Sequence, residues 1–315
     1  MTCDGIGLSS TQVAVRRLLE FGRWRHEDQH LMGWRQKFEF GLLVAFSLVF
    51  WRNPLVDTFR LAWTNEAYTH IILIVPLSFA LFCLDSKILR PALEPSRLAG
   101  SCLLLISLAF GYFVRRSGVF AADVQLASSM LTLVVWWVAC IVFCFGIQVF
   151  RAFLFPICFL LWLVPLPNFV LNWIIVALQN NSATMARCLF QLARVPVTLK
   201  GVTLALPGID IEVARECSSI RSTMVLIVTT MVLAHLFLRS PWRKLFLVLI
   251  AIPLSAAKNA LRIYVLVGLA MRVDPGYLDG NLHHRGGIVF LVIALAVTGV
   301  LLWLLARSER RADLT

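Results

Sequence analysis

The stretch 286–306, GGIVFLVIALAVTGVLLWLLA, contains no charged residue and is long enough to cross the hydrocarbon core of a bilayer as a helix. Other apolar stretches of the sequence have similar length. With the first they make eight candidate spans, near residues 38–55, 67–84, 98–114, 124–147, 152–167, 218–238, 245–262 and 286–306. The pattern predicts an all-α polytopic membrane protein with about eight transmembrane helices.

The composition supports a lipid environment. Hydrophobic residues make up 59% of the 315 residues and charged residues 15%, whereas soluble domains average roughly 45–50% and 25%. The formal net charge of +12 is carried by short basic clusters between the apolar stretches, which is where cytoplasmic anchors of membrane proteins lie. We therefore expect the lipid bilayer as a partner and no nucleic acid.

Lys and Arg also predict the orientation. If the N-terminus is cytoplasmic, the cytoplasmic segments hold more basic residues than the longer outer segments. We expect an inner-membrane protein with a basic cytoplasmic segment 1–37, one transmembrane domain 38–306, and a basic cytoplasmic tail 307–315. No cleaved signal peptide is expected, because residues 1–37 contain no apolar core followed by a small-residue cleavage site.

The segment of about 168–216 is the one sizeable region between spans, and it is predicted to be a structured extracytoplasmic cap. Apolar residues recur at spacings of three and four along 171–192, which indicates an amphipathic helix lying on the membrane. Apolar and other residues then alternate along 202–213 around a Pro-Gly turn, which predicts a two-stranded β-hairpin. This hairpin leads to the start of the sixth span.

Cys217 opens the sixth span in an unusually polar setting. The unpaired N–H groups of a helix N-terminus, together with Arg221 one turn later, favour a thiolate. The alternative is that Cys217 is a small buried residue and not a reactive thiol. The eight cysteines form no CxxC pair and have no metal-type spacing with histidine, so we expect no disulfide framework and no metal site.

Arg262 is expected to end the seventh span. Helical rise from Leu245 places it about 26 Å away, near the outer interface. An interfacial anchor whose charge reaches the headgroups is the alternative. Lys258, four residues earlier within the apolar stretch, favours a site, because charges inside a membrane usually face a bundle interior or a water-filled cavity.

His283 and His284 lie just before the last span, on the same outer side by the same topology. They are either solvated loop residues or a general acid and base near neutral pH. With Cys217 and Arg262 they supply a nucleophile, an anion stabiliser and a proton carrier at one face of the membrane. This combination is typical of acyl-transfer chemistry.

Four sequence features, in this order and spacing, resemble exosortases and archaeosortases, membrane enzymes that process proteins with a C-terminal tripartite sorting signal. The features are VPLP at 164–167, ECSSIRS at 216–222, NALRI at 259–263 after Pro253, and His283 four residues before Gly287. Ser219 departs from the family, which commonly has glycine there.

The resemblance implies a cysteine protease or transpeptidase whose active site lies on the periplasmic side. Cys217 would attack the scissile carbonyl of a PEP-CTERM-like signal on a membrane-anchored protein, Arg262 would stabilise the oxyanion, and His283 would protonate the departing amine. His284 is the substitute for His283. Water, an amine or a polysaccharide acceptor would resolve the thioacyl enzyme, and no cofactor is implied. Supporting roles fall to Arg221, Glu216 and Asn259.

Two other classes remain open from the sequence. A transporter or channel would use intramembrane charges and helices broken at prolines such as Pro76, Pro156 and Pro253. An assembly scaffold for envelope polysaccharide also fits the topology. Against both, the polar residues gather at one face, and no inverted repeat is visible. A transporter should tolerate Cys217→Ser.

Overall fold

The apolar stretches form helices because a helix satisfies its own backbone N–H and C=O groups in lipid. The computed structural model describes residues 34–89, 91, 93–207, 209–213, 220–274 and 287–312. They divide into two compact units, which we call the N-terminal unit (34–168) and the C-terminal unit (169–312).

The described part of the N-terminal unit is helical. Its α-helices, in chain order, are α1 (Trp34–Phe50), α2 (Arg52–Thr64), α3 (Ile71–Ser86), α4 (Arg97–Arg116), α5 (Ala122–Phe145), α6 (Ile147–Ala152) and α7 (Leu154–Phe159). Short 3-10 helices lie at Glu66–Tyr68 and Leu160–Leu163.

The first predicted span, 38–55, is a bent pair rather than one helix, since α1 and α2 meet at an angle of 71°. Trp51 lies at the bend and is 1% exposed. Its indole N–H donates to Thr132 Oγ1 of α5 at 3.0 Å. A buried indole N–H needs such a partner, and this contact holds the bend against α5.

α4 and α5 approach closely at Gly100. A Cβ at this position would lie 2.5 Å from Phe143 Cα, so only glycine fits without a backbone shift. Ser107 Oγ of α4 also donates to the Thr132 carbonyl of α5 at 2.7 Å. The two helices are therefore neighbours along much of their length.

The fifth predicted span, 152–167, is wrong as a continuous helix. The chain there forms the end of α6, the short α7 and a 3-10 turn. Proline explains the breaks, because it lacks the N–H that a helix interior requires. Pro156 lies within α7 and Pro165 follows the 3-10 turn. Ser78 Oγ of α3 donates to the Pro156 carbonyl at 2.6 Å.

The C-terminal unit begins within the predicted amphipathic helix. Its elements are α8 (Asn168–Leu192), β1 (Thr198–Lys200), β2 (Thr203–Leu206), β3 (Ile209–Glu212), α9 (Ile220–Phe237), α10 (Pro241–Arg272) and α11 (Gly287–Ala312). The predicted two-stranded hairpin is incomplete, because β1 adds a third strand. The sheet has the order β1-β2-β3 with antiparallel neighbours, and Leu204 of β2 pairs with Leu199 and Ile211.

α9, α10 and α11 pack on one another. Glu309 of α11 accepts hydrogen bonds from the backbone N–H groups of Arg239 and Ser240, which join α9 to α10, at 3.0 and 2.9 Å. The Arg243 guanidinium lies 3.8 Å from the same carboxylate. These contacts define one end of the three-helix bundle, which we call the Glu309 end.

The seventh predicted span, 245–262, ends before the helix that contains it does. α10 has 32 residues and continues ten residues beyond Arg262 to Arg272. Its length of about 48 Å exceeds the roughly 30 Å of a hydrocarbon core. Arg262 is therefore a residue of the helix interior, one turn after Lys258 and Asn259.

Among the described residues, six helices are long and apolar enough to cross a membrane, or up to eight spans exist if each of two bent helix pairs counts as one. The prediction of an all-α polytopic membrane protein with a small sheet is confirmed. The boundaries at 37, 168, 216 and 306 stay predictions.

Candidate active site

The structure describes only part of the predicted site. Arg221, Asn259 and Arg262 lie in described helices. Cys217 and Glu216, in the segment 214–219, and His283 and His284, in the segment 275–286, lie outside the described residues. The described elements on either side of these two segments set where each segment begins and ends.

The chain just before Cys217 is held to the cap helix α8. Val213 is 1% exposed, and its carbonyl accepts a hydrogen bond from Gln179 Nε2 of α8 at 2.8 Å. Its N–H donates to the Val202 carbonyl at 3.1 Å. Both backbone groups of this buried residue are satisfied, as burial demands. The segment 214–219 thus leaves the sheet from a fixed point.

The chain just after this segment is held to α10. Lys258 Nζ of α10 donates to Ser222 Oγ in the first turn of α9. The next residue, Thr223, shares a hydrogen bond of 2.5 Å with Ser255 of α10. Because both contacts are side chain to side chain between two helices, they fix the position of the N-terminus of α9 relative to α10.

A polar stripe runs along α10 opposite these residues. Ser255, Lys258, Asn259 and Arg262 recur at spacings of three and four, so they share one face of the helix. The first three are 1%, 6% and 1% exposed, and Arg262 is half-buried. Polar groups on a membrane helix normally face a bundle interior or a cavity rather than lipid. The stripe is therefore the face of α10 on which we look for a candidate site.

The stripe carries two cations, Lys258 and Arg262, one turn apart. Cations at this spacing repel each other, and the repulsion falls when an anion comes to lie beside them. Arg262 adds a planar guanidinium that can donate two hydrogen bonds to one anion. The stripe is thus suited to binding a negative charge, such as a thiolate, a carboxylate or an oxyanion.

The cap packs on an adjacent face of α10. Ala260 and Ile263 are buried with Phe190 of α8 and Leu204 of β2 in one hydrophobic cluster. The rings of Phe190 and Tyr264 are 5.0 Å apart. The cap, which supplies the strand before Cys217, and the helix that carries Arg262 therefore form one packed body.

Arg262 and the starts of α9 and α11 lie at similar distances from the Glu309 end of the bundle. α9 runs about 26 Å from Ile220 to its contact with the turn beside Glu309. Arg262 lies about 32 Å along α10 from that turn, and Gly287 lies about 33 Å along α11 from Glu309. The segments 214–219 and 275–286 thus join the described helices at the end where Arg262 lies.

Four residues that hold the elements around the candidate site have no role in the prediction from sequence, which includes only Lys258 of this group. They are Gln179, Ser222, Thr223 and Ser255. The available signal was the spacing of Ser255 from Lys258, which places a hydroxyl one turn before a buried cation. The described residues contain no group of three or more His, Cys, Asp or Glu side chains that could hold a metal ion.

Comparisons with known proteins bear on this arrangement. Neither the curated proteins nor the solved structures include a match. The family model described as transmembrane exosortase matches residues 62–303, well over half of the 315 residues. The match covers the broken fifth span, the cap and the polar stripe of α10. This multi-pass membrane protein belongs to the transmembrane exosortase family.

Proposed function

We propose that this exosortase family protein is a cysteine peptidase or transpeptidase that removes the C-terminal sorting signal of membrane-anchored proteins. The observation that supports the proposal most is the position of Arg262. It lies on the polar stripe of α10, at the end of the bundle where the segments containing Cys217 and His283 begin or end.

Cys217 is the nucleophile. Its thiolate attacks the scissile carbonyl of the substrate, and the carbonyl oxygen becomes an oxyanion. Arg262 donates hydrogen bonds to that oxyanion. The positive charge of Lys258, one turn earlier, adds to the electrostatic stabilisation of the oxyanion. Asn259 lies on the same face and Arg221 lies in the first turn of α9, so both are supporting residues, as is Glu216 by its place beside Cys217.

His283 carries the proton. When the tetrahedral intermediate collapses, the carbon–nitrogen bond breaks, and the departing amine takes a proton from His283. The product is a thioester between Cys217 and the substrate. Water or an amine acceptor then attacks the thioester carbonyl and gives a proton to His283, and the Cys217 thiolate is released. In the transferase version of the reaction, the acceptor is an amine carried by an envelope polysaccharide.

The site faces the periplasm in this proposal, and both termini are cytoplasmic in the inner membrane. The excess of basic residues at the termini and in the turn beside Glu309 supports this orientation. Arg239, Arg243 and Lys244 lie at the Glu309 end, opposite Arg262. A substrate exported across the membrane would then reach the site from the outer side.

Substitution at the two residues tests the proposal. Cys217→Ala and Arg262→Ala should each abolish removal of a substrate's C-terminal signal, measured as a mass shift of the substrate, with normal amounts of enzyme in the membrane. Arg262→Lys should also be poor, because an ammonium lacks the planar fork.

Matched controls lie on the same elements. Cys188→Ala removes an exposed thiol of α8, and Arg272→Ala removes an exposed cation at the end of α10. Both controls should process substrate normally. Normal processing by Cys217→Ala or Arg262→Ala would rule out the catalytic assignment, and normal function of Cys217→Ser in solute uptake would favour a transporter.

A further inference from the structure

A cavity of about 650 Å³ lies within the N-terminal unit and is lined by residues of that unit alone. This volume falls in the range of ligand pockets. Its walls come from α1, α3, α5, α6 and α7, and they are rich in aromatic side chains such as Phe79, Phe82 and Phe153. A cavity of this size and apolarity in a membrane protein selects an apolar ligand.

Three polar side chains of the wall, those of Ser78, Ser86 and Trp137, already form hydrogen bonds within the protein. Ser78 Oγ donates to the Pro156 carbonyl at 2.6 Å, Ser86 Oγ donates to the Cys83 carbonyl at 2.9 Å, and the Trp137 indole N–H donates to Ser47 Oγ at 3.0 Å. A ligand inside the cavity is therefore offered no side-chain hydrogen bond from these three residues. A hydrocarbon chain satisfies this condition, and a polar solute does not.

The cavity has the length of one leaflet. On α3 the lining residues run from Val75 to Ser86, which is about 16 Å of helix. Half of a hydrocarbon core of about 30 Å is roughly 15 Å. The cavity therefore extends from an interface to about the middle of the membrane, as the acyl chain of a lipid does.

Lys37 marks the interfacial end. It lines the cavity from the first turn of α1, on the face that also carries Phe40 and Val44. Its side chain is exposed, and among the described residues no ion pair is formed by it. The nearby carboxylate of Glu39 is taken by Arg97 at 2.6 Å and by Arg35 at 3.1 Å. Lys37 is thus available to a ligand.

The same end of the unit is basic. Its described cations outnumber its carboxylates by five to three; the cations are Arg35, Lys37, Lys87, Arg97 and Arg151, and the carboxylates are Glu39, Asp85 and Glu94. Basic pockets between transmembrane helices bind the phosphates of anionic lipids. We propose that the N-terminal unit binds one anionic phospholipid, with an acyl chain in the cavity and the headgroup phosphate at Lys37.

Lipid retention measures this binding independently of the chemistry at Cys217. The full chain is reconstituted in nanodiscs of phosphatidylcholine with a minor fraction of phosphatidylglycerol, and lipids that stay bound are identified by native mass spectrometry. Wild type should retain one phosphatidylglycerol in preference to phosphatidylcholine. Lys37→Gln should weaken that preference about fivefold, since one cation near a membrane surface contributes on this scale. Lys37→Arg should keep it.

Control variants separate the cavity from general lipid contact. Val75→Trp fills the cavity and should remove the bound lipid, whereas Leu73→Trp, at an exposed position of the same helix outside the cavity, should not. Arg116→Gln removes an exposed cation at the other end of the unit and should leave the preference unchanged. Equal retention of the two lipids by wild type, no lipid retained at all, or equal behaviour of Lys37→Gln and Arg116→Gln would each overturn the proposal.

Discussion

Lys258, which is 6% exposed on α10, donates a hydrogen bond to Ser222 Oγ in the first turn of α9. Ser222 follows the proposed nucleophile Cys217 by five residues in the sequence, and this pair ties α9 to α10, the helix that carries Arg262. A buried ammonium is stable only when it is hydrogen-bonded or paired. Ser222 meets part of that need.

The two residues of this pair should differ in their effect on stability. Ser222→Ala removes the acceptor but keeps the buried ammonium, and we expect it to cost about 1–3 kcal/mol. Lys258→Met removes the charge together with its repulsion from Arg262, and it keeps an unbranched side chain. We therefore expect a smaller loss in the free energy of unfolding than for Ser222→Ala.

Thermal unfolding of the detergent-solubilised protein, followed by tryptophan fluorescence, measures both costs. Ser308→Ala, at an exposed position of α11, is the control and should change little. A larger loss of stability for Lys258→Met than for Ser222→Ala would show that the hydroxyl does not support the ammonium.

Gln179 should act as a positioning residue for the strand that leads to Cys217. Gln179→Leu leaves the buried Val213 carbonyl without its side-chain donor, which should cost about 1–3 kcal/mol of stability. Substrate processing should also slow, because the chain before the nucleophile loses a fixed point.

Asn180→Ala is the matched control, since Asn180 is the next residue of α8 and is exposed. It should leave both the unfolding temperature and the processing rate unchanged. If Gln179→Leu processes substrate as fast as Asn180→Ala does, the hydrogen bond to Val213 has no role in positioning the site.

The sequence predicts the helices well where apolar stretches are continuous and poorly where they are interrupted. Pro156 and Pro165 break the fifth span, and hydropathy averaged over a window cannot show such a break. The sequence predicts that a span ends at Arg262, but the apolar residues that follow it continue the helix to Arg272. β1 was missed because a strand of three residues carries almost no alternation.

The sequence likewise predicts some residues of the candidate site and not others. Arg262 could be predicted because a charge within an apolar stretch is costly and so signals a function. Gln179 and Ser222 could not, because their contacts join residues 34 and 36 positions apart. Such contacts depend on the packing of α8, α9 and α10, which local sequence patterns do not encode.

The rates at which two variants remove the signal distinguish the roles of His283 and His284. If His283 is the general acid, His283→Ala should lose about 10²–10⁴-fold in the rate of signal removal. His284→Ala should lose little. Single-turnover assays with a peptide amide and with the corresponding ester would show the cause, because an ester has a better leaving group and needs less help from an acid.

The loss in His283→Ala should therefore be much smaller with the ester. A large loss in His284→Ala, with His283→Ala near wild type, would transfer the role to His284. Normal rates in both variants would leave the proposed acyl transfer without its proton carrier.

Isolation of the thioester tests the central claim most directly. Enzyme and substrate are mixed, quenched in acid and analysed by mass spectrometry of the peptide containing Cys217. We expect an adduct of the substrate's new C-terminus on Cys217 that hydroxylamine removes and that is absent in Arg262→Ala. Signal removal by Cys217→Ala, or an acyl adduct on a residue other than Cys217, would contradict it.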